Sequence, residues 1–488
     1  MKTIANIILL ILLNALSVQG QQFYFGCDLS YVNQMEDCGA VFKENDAPKD
    51  VYQIFASHGT NLARVRLWVD PAWWQRPLQQ PEGVKPFYSD LEDVKETLRR
   101  AKAAGMQTML GFHYSDFWAD PGRQLVPHRW LGIADDAEAL KDSVYNYTKH
   151  VLTQLEREGL MPDFVKIGNE TNGGIMNHIA SEGDYKPVRT ISNDWARHGK
   201  LFNAAIKAVR EVGATSAIHT KIVVHFTGDL NGHQWFFQNL IDSDVTDFDI
   251  YGFSYYYAWH KGNIPLLETT IRNLVTTFPV YKVMIVETAY PWSTENFDSL
   301  INIVRTADPA YLPVSPVKQL EYMVDYTRAV MRPGGIGVIF WEPAWLSTPC
   351  RTPWGQGSSH DHLAFFDPKN NNFMEDGAGN WPSPRFYENL DAHKISFTLN
   401  MASLTVSDSV FISGSFLNGK MSMAPIDSSD YYYFTYLPAN THGSYNFTTG
   451  NIPESLPADC SANDRSFTMP DSNIVIKVTW SKCDSTGK

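Results

Sequence analysis

The sequence predicts an α/β fold in two parts, a (β/α)8 TIM barrel over residues 21–390 and a small all-β sandwich over residues 394–488. Three observations predict it. Short, continuously apolar runs recur along most of the chain. Stretches of helical periodicity separate them, and after about residue 390 both give way to short alternating runs bounded by Ser, Asn, Gly and Pro.

The N-terminus, MKTIANIILLILLNALSVQGQQ, has one lysine, an apolar run from Ile7 to Leu13, and small residues Val18 and Gly20 before Gln21. This is the pattern of a secretory signal over residues 1–20, with an apolar core too short to span a membrane. No cysteine follows at lipoprotein spacing, and no later segment has the length and freedom from charge of a membrane helix. A freely secreted, extracellular product is expected.

The apolar runs are 23-FYFGCDLS, 61-NLARVRLW, 106-MQTMLGFHY, 163-DFVKIGNE, 220-TKIVVHF, 247-DFDIYGFSY, 281-YKVMIVET and 336-IGVIFWEP. Between them, 91-LEDVKETLRRAKAAG places apolar residues at helical spacing and ends on a glycine stop. The stretches 142-DSVYNYTKHVLTQLEREG and 193-NDWARHGKLFNAAIKAVREVG read the same way. Strands that are apolar throughout and alternate with helices form a buried parallel sheet, and eight such units close into a barrel. A doubly wound open sheet is the rival, but no Gly-rich dinucleotide fingerprint follows any strand. Beyond 381-WPSPRFYENLDAHK, the runs 395-ISFTLNM, 409-SVFISGSF, 431-YYYFTYL and 473-NIVIKVTW are those of a β-sandwich.

The formal charge is −13 and no run of Lys and Arg occurs, which excludes nucleic acid and acidic membrane surfaces as partners. Aromatic residues make up 13% of the chain, and Trp118, Trp130, Trp259, Trp292, Trp345 and Trp354 fall in loops. Loop aromatics on an acidic secreted protein suit the stacking of sugar rings. Of the five cysteines, Cys460 and Cys483 bracket the last segment and are expected to pair. Cys27, Cys38 and Cys350 remain, which leaves one thiol free.

Polar residues end the strands of this barrel type at the active-site face. Here they are Asp28, Arg66, His113, Asn169 with Glu170, His225, Tyr255, Glu287, and Trp341 with Glu342. A single acid after a strand is most often a helix cap, but a full ring of polar endings is not. Glu170 and Glu287 follow strongly apolar strands, the fourth and seventh, and would face each other across the mouth. Such a pair serves glycosidic bond hydrolysis, with one carboxyl protonated and the other ionised. Arg66 would hold one of them ionised through a charge-assisted hydrogen bond, and Asn169 would donate to a sugar hydroxyl. Spacing alone leaves the two roles unassigned. The sequence contains no G-x-S-x-G elbow and no H-E-x-x-H motif. His113, His225 and His260 are a metal cluster only if they are not sugar ligands, and no catalytic metal is expected.

The pieces 26-GCDLSYVNQMED, 64-RVRLWVDP, 111-GFHYSDFWADPGRQ, 167-IGNETNGG, 252-GFSYYYAWH, 286-VETAYPW, 340-FWEPAWLST and 354-WGQGS resemble glycoside hydrolase family 53, the endo-β-1,4-galactanases. The resemblance runs from about residue 23 to about residue 390. It implies a clan A barrel and a retaining mechanism, with Glu170 as acid/base and Glu287 as nucleophile. It places Arg66, His113, Asn169, His225, Tyr255 and Trp341 around them, with Asp28 in the matched set. Trp118, Trp259, His260, Trp292 and Trp345 would line the cleft, with Asp116 nearby. Cys38 then follows strand one and Cys350 follows strand eight, neighbours in a closed barrel, so Cys38–Cys350 is expected, with Cys27–Cys350 as fallback. Some bacterial relatives hold a structural calcium between the loops after strands seven and eight. In 295-ENFDSLIN this chain keeps Asp298 and Asn302 but has Leu300 where an imidazole ligand is expected, so no cofactor is expected to be required.

The tail resembles, more weakly, a starch-binding β-sandwich at 410-VFISGSF, 452-IPESLPADC and 465-RSFTMP. Tyr431, Tyr432, Tyr433, Tyr436 and Trp480 would then be a stacking platform, unless alternation sends some of them into the core. The expected function is a monomeric secreted galactanase acting on galactan or type I arabinogalactan. Its alternatives are another clan A specificity, β-mannanase or β-glucanase, and a non-catalytic polysaccharide binder. Three N-x-[ST] sequons occur. Asn146 and Asn446 are the expected glycan sites, because Asn169-Glu170-Thr171 would face the cleft.

Overall fold

The computed structural model describes residues 22–74, 80–181, 184–192, 194–402, 404, 409–458, 460 and 465–483. The signal sequence expected over residues 1–20 lies outside them. Eight strands, β1 (Tyr24–Asp28), β2 (Leu62–Leu67), β3 (Gln107–Phe112), β4 (Phe164–Ile167), β5 (Lys221–Thr227), β6 (Ile250–Ser254), β7 (Lys282–Thr288) and β8 (Gly337–Phe340), close into a barrel. Each pairs in parallel with its neighbours in chain order, and β1 pairs with β8.

The crossovers run through α1 (Val51–Ser57), α2 (Leu91–Ala103), α3 (Ala137–Arg157), α4 (Trp195–Gly213), α5 (His233–Asp242), α6 (Ile264–Thr277) and α7 (Pro316–Met331). Their starts are written in the sequence. Asp50, Asp90, Asp136, Asp194, Asn263 and Ser315 each accept a backbone N–H of the first turn, and α6 and α7 also carry a proline there. After β8 the described chain forms a two-stranded hairpin, Arg351–Thr352 with Gly355–Gln356, and short 3-10 turns before residue 393, where an eighth helix would otherwise stand.

The barrel interior has two levels. Tyr24, Leu62, Met109, Phe164, Val223, Ile250 and Met284 form an apolar plug at the base. Two residues further along the same strands, on the same face, come Arg64, Lys166, His225 and their neighbours. The site is thus raised on a packed floor. Cys38 is bonded to Cys350, the disulfide expected from the resemblance, and Cys27 is left as a free, buried thiol whose burial pushes it up to about 12.

The tail forms β9 (His393–Asn400), β10 (Val410–Gly414), β11 (Met421–Pro425), β12 (Asp430–Leu437), β13 (His442–Thr449), β14 (Ile452–Pro453), β15 (Arg465–Thr468) and β16 (Ile474–Thr479). They run in the order 14-13-10-11-12-9-16, with β15 on β13, around Phe397, Leu399, Ile412 and Phe447. Cys460 is bonded to Cys483.

This sandwich is docked on α7. Lys394 reaches Glu321 at 2.5 Å and Asp325 at 2.6 Å, and the Tyr436 hydroxyl donates to Asp325 at 2.6 Å. Arg328 donates to the carbonyls of Phe386, Asn389, Leu390 and Ala392, pinning the connecting segment, and lies over the Tyr436 ring. The expected stacking platform is therefore absent. Tyr432 and the half-buried Tyr436 belong to the interface, Tyr433 and Trp480 to the sandwich core, and Tyr431 is half-buried beside that core.

Candidate active site

Local backbone features aim the two carboxylates. At the end of β4, Gly168 and Glu170 adopt φ of 73° and 48°, left-handed values that fold the chain sharply over the mouth. On β7 the pairing register shifts between Ile285 and Thr288. That irregularity breaks the alternation set by Met284 and Val286 and lets Glu287 enter the mouth. Carboxylate oxygens of Glu170 and Glu287 then lie within 4.8 Å of each other.

Their surroundings differ. Glu287 Oε2 accepts from Arg64 Nη2 at 2.7 Å and Oε1 from the Tyr256 hydroxyl at 2.8 Å. Arg64 is itself anchored to Asp28 at 3.0 Å, and these two acids more than offset the burial that opposes its charge. Glu170 meets no such cation at contact distance. Burial first, then the charge of Glu287, pushes its carboxyl up to about 8. The pair is split into a carboxyl that keeps its proton at neutral pH and a carboxylate held by two donors.

Two expectations are corrected here. Arg64, not Arg66, is the guanidinium on the pair; Arg66 bonds Glu342 at 2.5 Å and lies against the Tyr31 and Trp118 rings. Tyr256, not Tyr255, reaches Glu287. The Tyr255 ring packs on Tyr326 outside the strand, with its hydroxyl unpartnered. Residues 254 and 256 share one face, and three tyrosines in a row gave no anchor for that parity.

The remaining candidates divide. Asn169 adjoins the pair, its amide nitrogen donating to Ala119 O and its oxygen accepting from Arg64 and Lys166. His113 accepts from Trp68 Nε1 at 3.4 Å through Nδ1, its Nε2 has no hydrogen-bond partner, and burial pulls its pKa well below the usual imidazole range. Trp118 and Trp341 meet edge to face, Trp345 stacks on Tyr31, and Trp259, 52% exposed, leans on Tyr256 at the rim. Trp292 is half-buried beside Phe297.

Four candidates are engaged with other groups of the protein. Asp28 is committed to Arg64 and to Ser30. His225 spends both nitrogens on Lys166 and Ser254, and His260 spends both on Thr227 and the Tyr256 backbone. Asp116 faces Asp70 and Arg129 and accepts from His128 N, away from the pair. Glu170, His225 and Glu287 bring one ligand atom apiece within 4.8 Å of one another, but the His225 nitrogen would have to give up a hydrogen bond to hold a metal.

The profile of glycosyl hydrolase family 53 matches residues 24–376. The chain belongs to that family. Among its family 53 relatives, an arabinogalactan endo-β-1,4-galactanase of Cellvibrio japonicus (strain Ueda107) is 41% identical over 352 residues, covering 72% of this chain and 88% of that protein. An endo-β-1,4-galactanase of Bacillus subtilis (strain 168) is 30% identical over 376 residues, covering 74% and 80%. In three dimensions, the Ignisphaera aggregans GH53 catalytic domain superposes with a TM-score of 0.63 at 27% identity, covering 75% of this chain and 97% of that one.

In this family 53 chain the acidic side chains between the loops after β7 and β8 are largely engaged within the protein. Asp298 spends its oxygens on Leu300 N and Ser358 N, and Leu300 is buried. Asp361 Oδ1 and Asn302 Oδ1 are the buried side-chain oxygens left unpartnered there, so most of the six to eight oxygens that calcium takes would have to be backbone carbonyls or water. A chelator should therefore leave the thermal midpoint within about 1 °C of its value in added calcium. A calcium-dependent rise of several degrees is the opposing result.

Proposed function

We propose that the chain is a secreted, retaining endo-β-1,4-galactanase that works as a monomer. The reading is carried by the carboxylate pair. One oxygen of each lies within 4.8 Å of the other, which favours the about 5–5.5 Å group separation of a nucleophile and an acid over the roughly 6.5–9.5 Å that admits a water between them. The unequal surroundings of the two groups support Glu287 as nucleophile and Glu170 as acid/base.

In the first half-reaction Glu287 attacks the anomeric carbon while Glu170 gives its proton to the glycosidic oxygen, which leaves as the 4-hydroxyl of the departing chain. A galactosyl ester of Glu287 results. In the second, the Glu170 carboxylate takes a proton from water, and the oxygen of that water displaces Glu287 with a second inversion. Asn169 and His113 hold sugar hydroxyls, Arg64 and Tyr256 keep the Glu287 oxygens aligned, and the tryptophans supply faces for the rings. The names of the relatives favour galactan over mannan or glucan. Retention of both carboxylates with their partners favours an enzyme over a binder.

The test is proton NMR during hydrolysis of linear β-1,4-galactan. The β-anomer of new reducing ends should appear first and then mutarotate. First appearance of the α-anomer, or cleavage confined to mannan or glucan, overturns the proposal. Asn146 and Asn446 are both exposed and open to glycosylation, whereas Asn169 is buried.

A further inference from the structure

One buried cation in the mouth has no part in the reaction described above. Lys166 lies mid-strand on β4, with Nζ 2.6 Å from Asn169 Oδ1, 3.0 Å from Gly168 O and 3.0 Å from His225 Nδ1. Three acceptors are the full complement of an ammonium; burial and the charge of Arg64 pull its pKa well below the ordinary lysine range, and Glu287, Asp28 and Glu170 oppose that pull. Gly111 on β3 makes the room. A Cβ there would stand 3.0 Å from Lys166 Cε.

The contacts of Lys166 propagate in two directions. His225 Nδ1 receives Lys166 and, at 3.3 Å, the Glu170 N–H, so the ring proton sits on Nε2 and is donated to Ser254 Oγ at 2.8 Å. Ser254, accepting there, has its own hydroxyl proton left for the Glu170 carboxyl, to which it hydrogen-bonds. Toward the substrate side, Asn169 Oδ1 is saturated by Lys166 and Arg64 while Nδ2 donates to Ala119 O. The amide cannot flip, and one N–H remains for a sugar hydroxyl.

We propose that Lys166 is a positioning residue of the acid/base step: its ammonium fixes the Asn169 amide and, through His225 and Ser254, the hydrogen bond that Glu170 receives. The proposal rests on the reading of Glu170 as acid/base. Around Glu170 stand Glu287 from β7, Asp120 from the loop after β3, Tyr256 beyond β6, His225 from β5 and Lys166. Around Lys166 stand Asp28 from β1, Arg64 from β2, His113 from β3 and the two catalytic acids. Glu287 and Asp120 raise the Glu170 carboxyl, while Lys166 and Ser254 lower it. Loss of either of the latter moves its titration to higher pH.

Lys166→Met tests this on two substrates, linear galactan and a dinitrophenyl β-galactobioside, whose leaving group departs without a proton. On galactan, kcat/KM should fall roughly tenfold or more. The alkaline limb of its pH profile should move up by about half a unit or more. The aryl substrate should lose much less. Ser254→Ala should move the limb the same way, and the double variant should be no worse than the poorer single. Equal losses on both substrates with the limb in place, or additive losses, overturn the proposal. Should Lys166→Met not fold, the limb of Ser254→Ala decides alone. Glu170→Gln separates the two readings. If it stays active on galactan, the acid/base role itself fails. If it is inactive on galactan, active on the aryl substrate, and the Lys166→Met limb stays put, only the relay fails.

Discussion

Glu287→Gln and Glu170→Gln are each expected to silence galactan hydrolysis, by about 10⁴-fold or more for the nucleophile, yet to move stability in opposite directions. Glu287→Gln takes from Arg64 one of its two counter-charges and leaves a buried guanidinium with Asp28 alone. Removing one member of a buried charged set costs stability, on the order of 1–3 kcal/mol where the replacement can still accept a hydrogen bond. Glu170→Gln instead removes a group whose folded carboxyl is raised from 4.5 to about 8. Between those values the unfolded chain has lost the proton and the folded protein keeps it. Wild-type stability therefore falls as pH rises through that window. A glutamine does not titrate, so the thermal midpoint of Glu170→Gln should exceed that of wild type by a margin that grows from pH 5 to about pH 8 and then levels off. Calorimetric scans at a series of pH values give this directly, and a pH-independent margin would falsify the assignment of a proton to Glu170.

The second large effect belongs to the docking of the sandwich. Lys394 is held between Glu321 and Asp325, and although burial opposes its charge, the two acids raise it above the ordinary lysine range. Its contribution is complete at neutral pH and is lost only as pH rises past that range. Lys394→Met leaves Glu321, almost fully buried, with Lys318 as its nearest cation, and Asp325 with the hydroxyls of Tyr311 and Tyr436. The expected cost is about 3–5 kcal/mol, read as a lower urea midpoint for the barrel as well as for the sandwich. Galactan kinetics at 25 °C should be unchanged, because α7 contributes no group to the carboxylate pair. A normal urea midpoint would show that the two domains are tethered rather than joined.

The barrel was legible because its strands are uninterrupted apolar runs and its helices announce their caps, from Asp90 to Ser315. The carboxylates were legible because each ends such a run. What the sequence hid was stagger. Arg64 and Arg66 share one face of β2, and the tilt of the barrel decides which of the two levels meets β7 and which meets Glu342 at the end of β8. Parity hid Tyr256 in the same way, and the irregularity in β7 that aims Glu287 leaves no mark on the residues around it. Lys166 did leave one, a lysine with the parity of Phe164 in a strand that is apolar elsewhere. The tyrosines of 431-YYYFTYL looked like a binding face because an aromatic surface made for a sugar and one made for a helix have the same composition.

The disulfide that ties Cys38 to Cys350 spans 312 residues of sequence, so almost the whole catalytic barrel is one covalent ring. A peptide bond cut anywhere in that ring opens the circle without releasing a fragment. An enzyme nicked in an exposed loop should migrate as intact on a non-reducing gel, fall into two pieces when reduced, and keep both carboxylates on one molecule after damage that would divide an unbridged barrel.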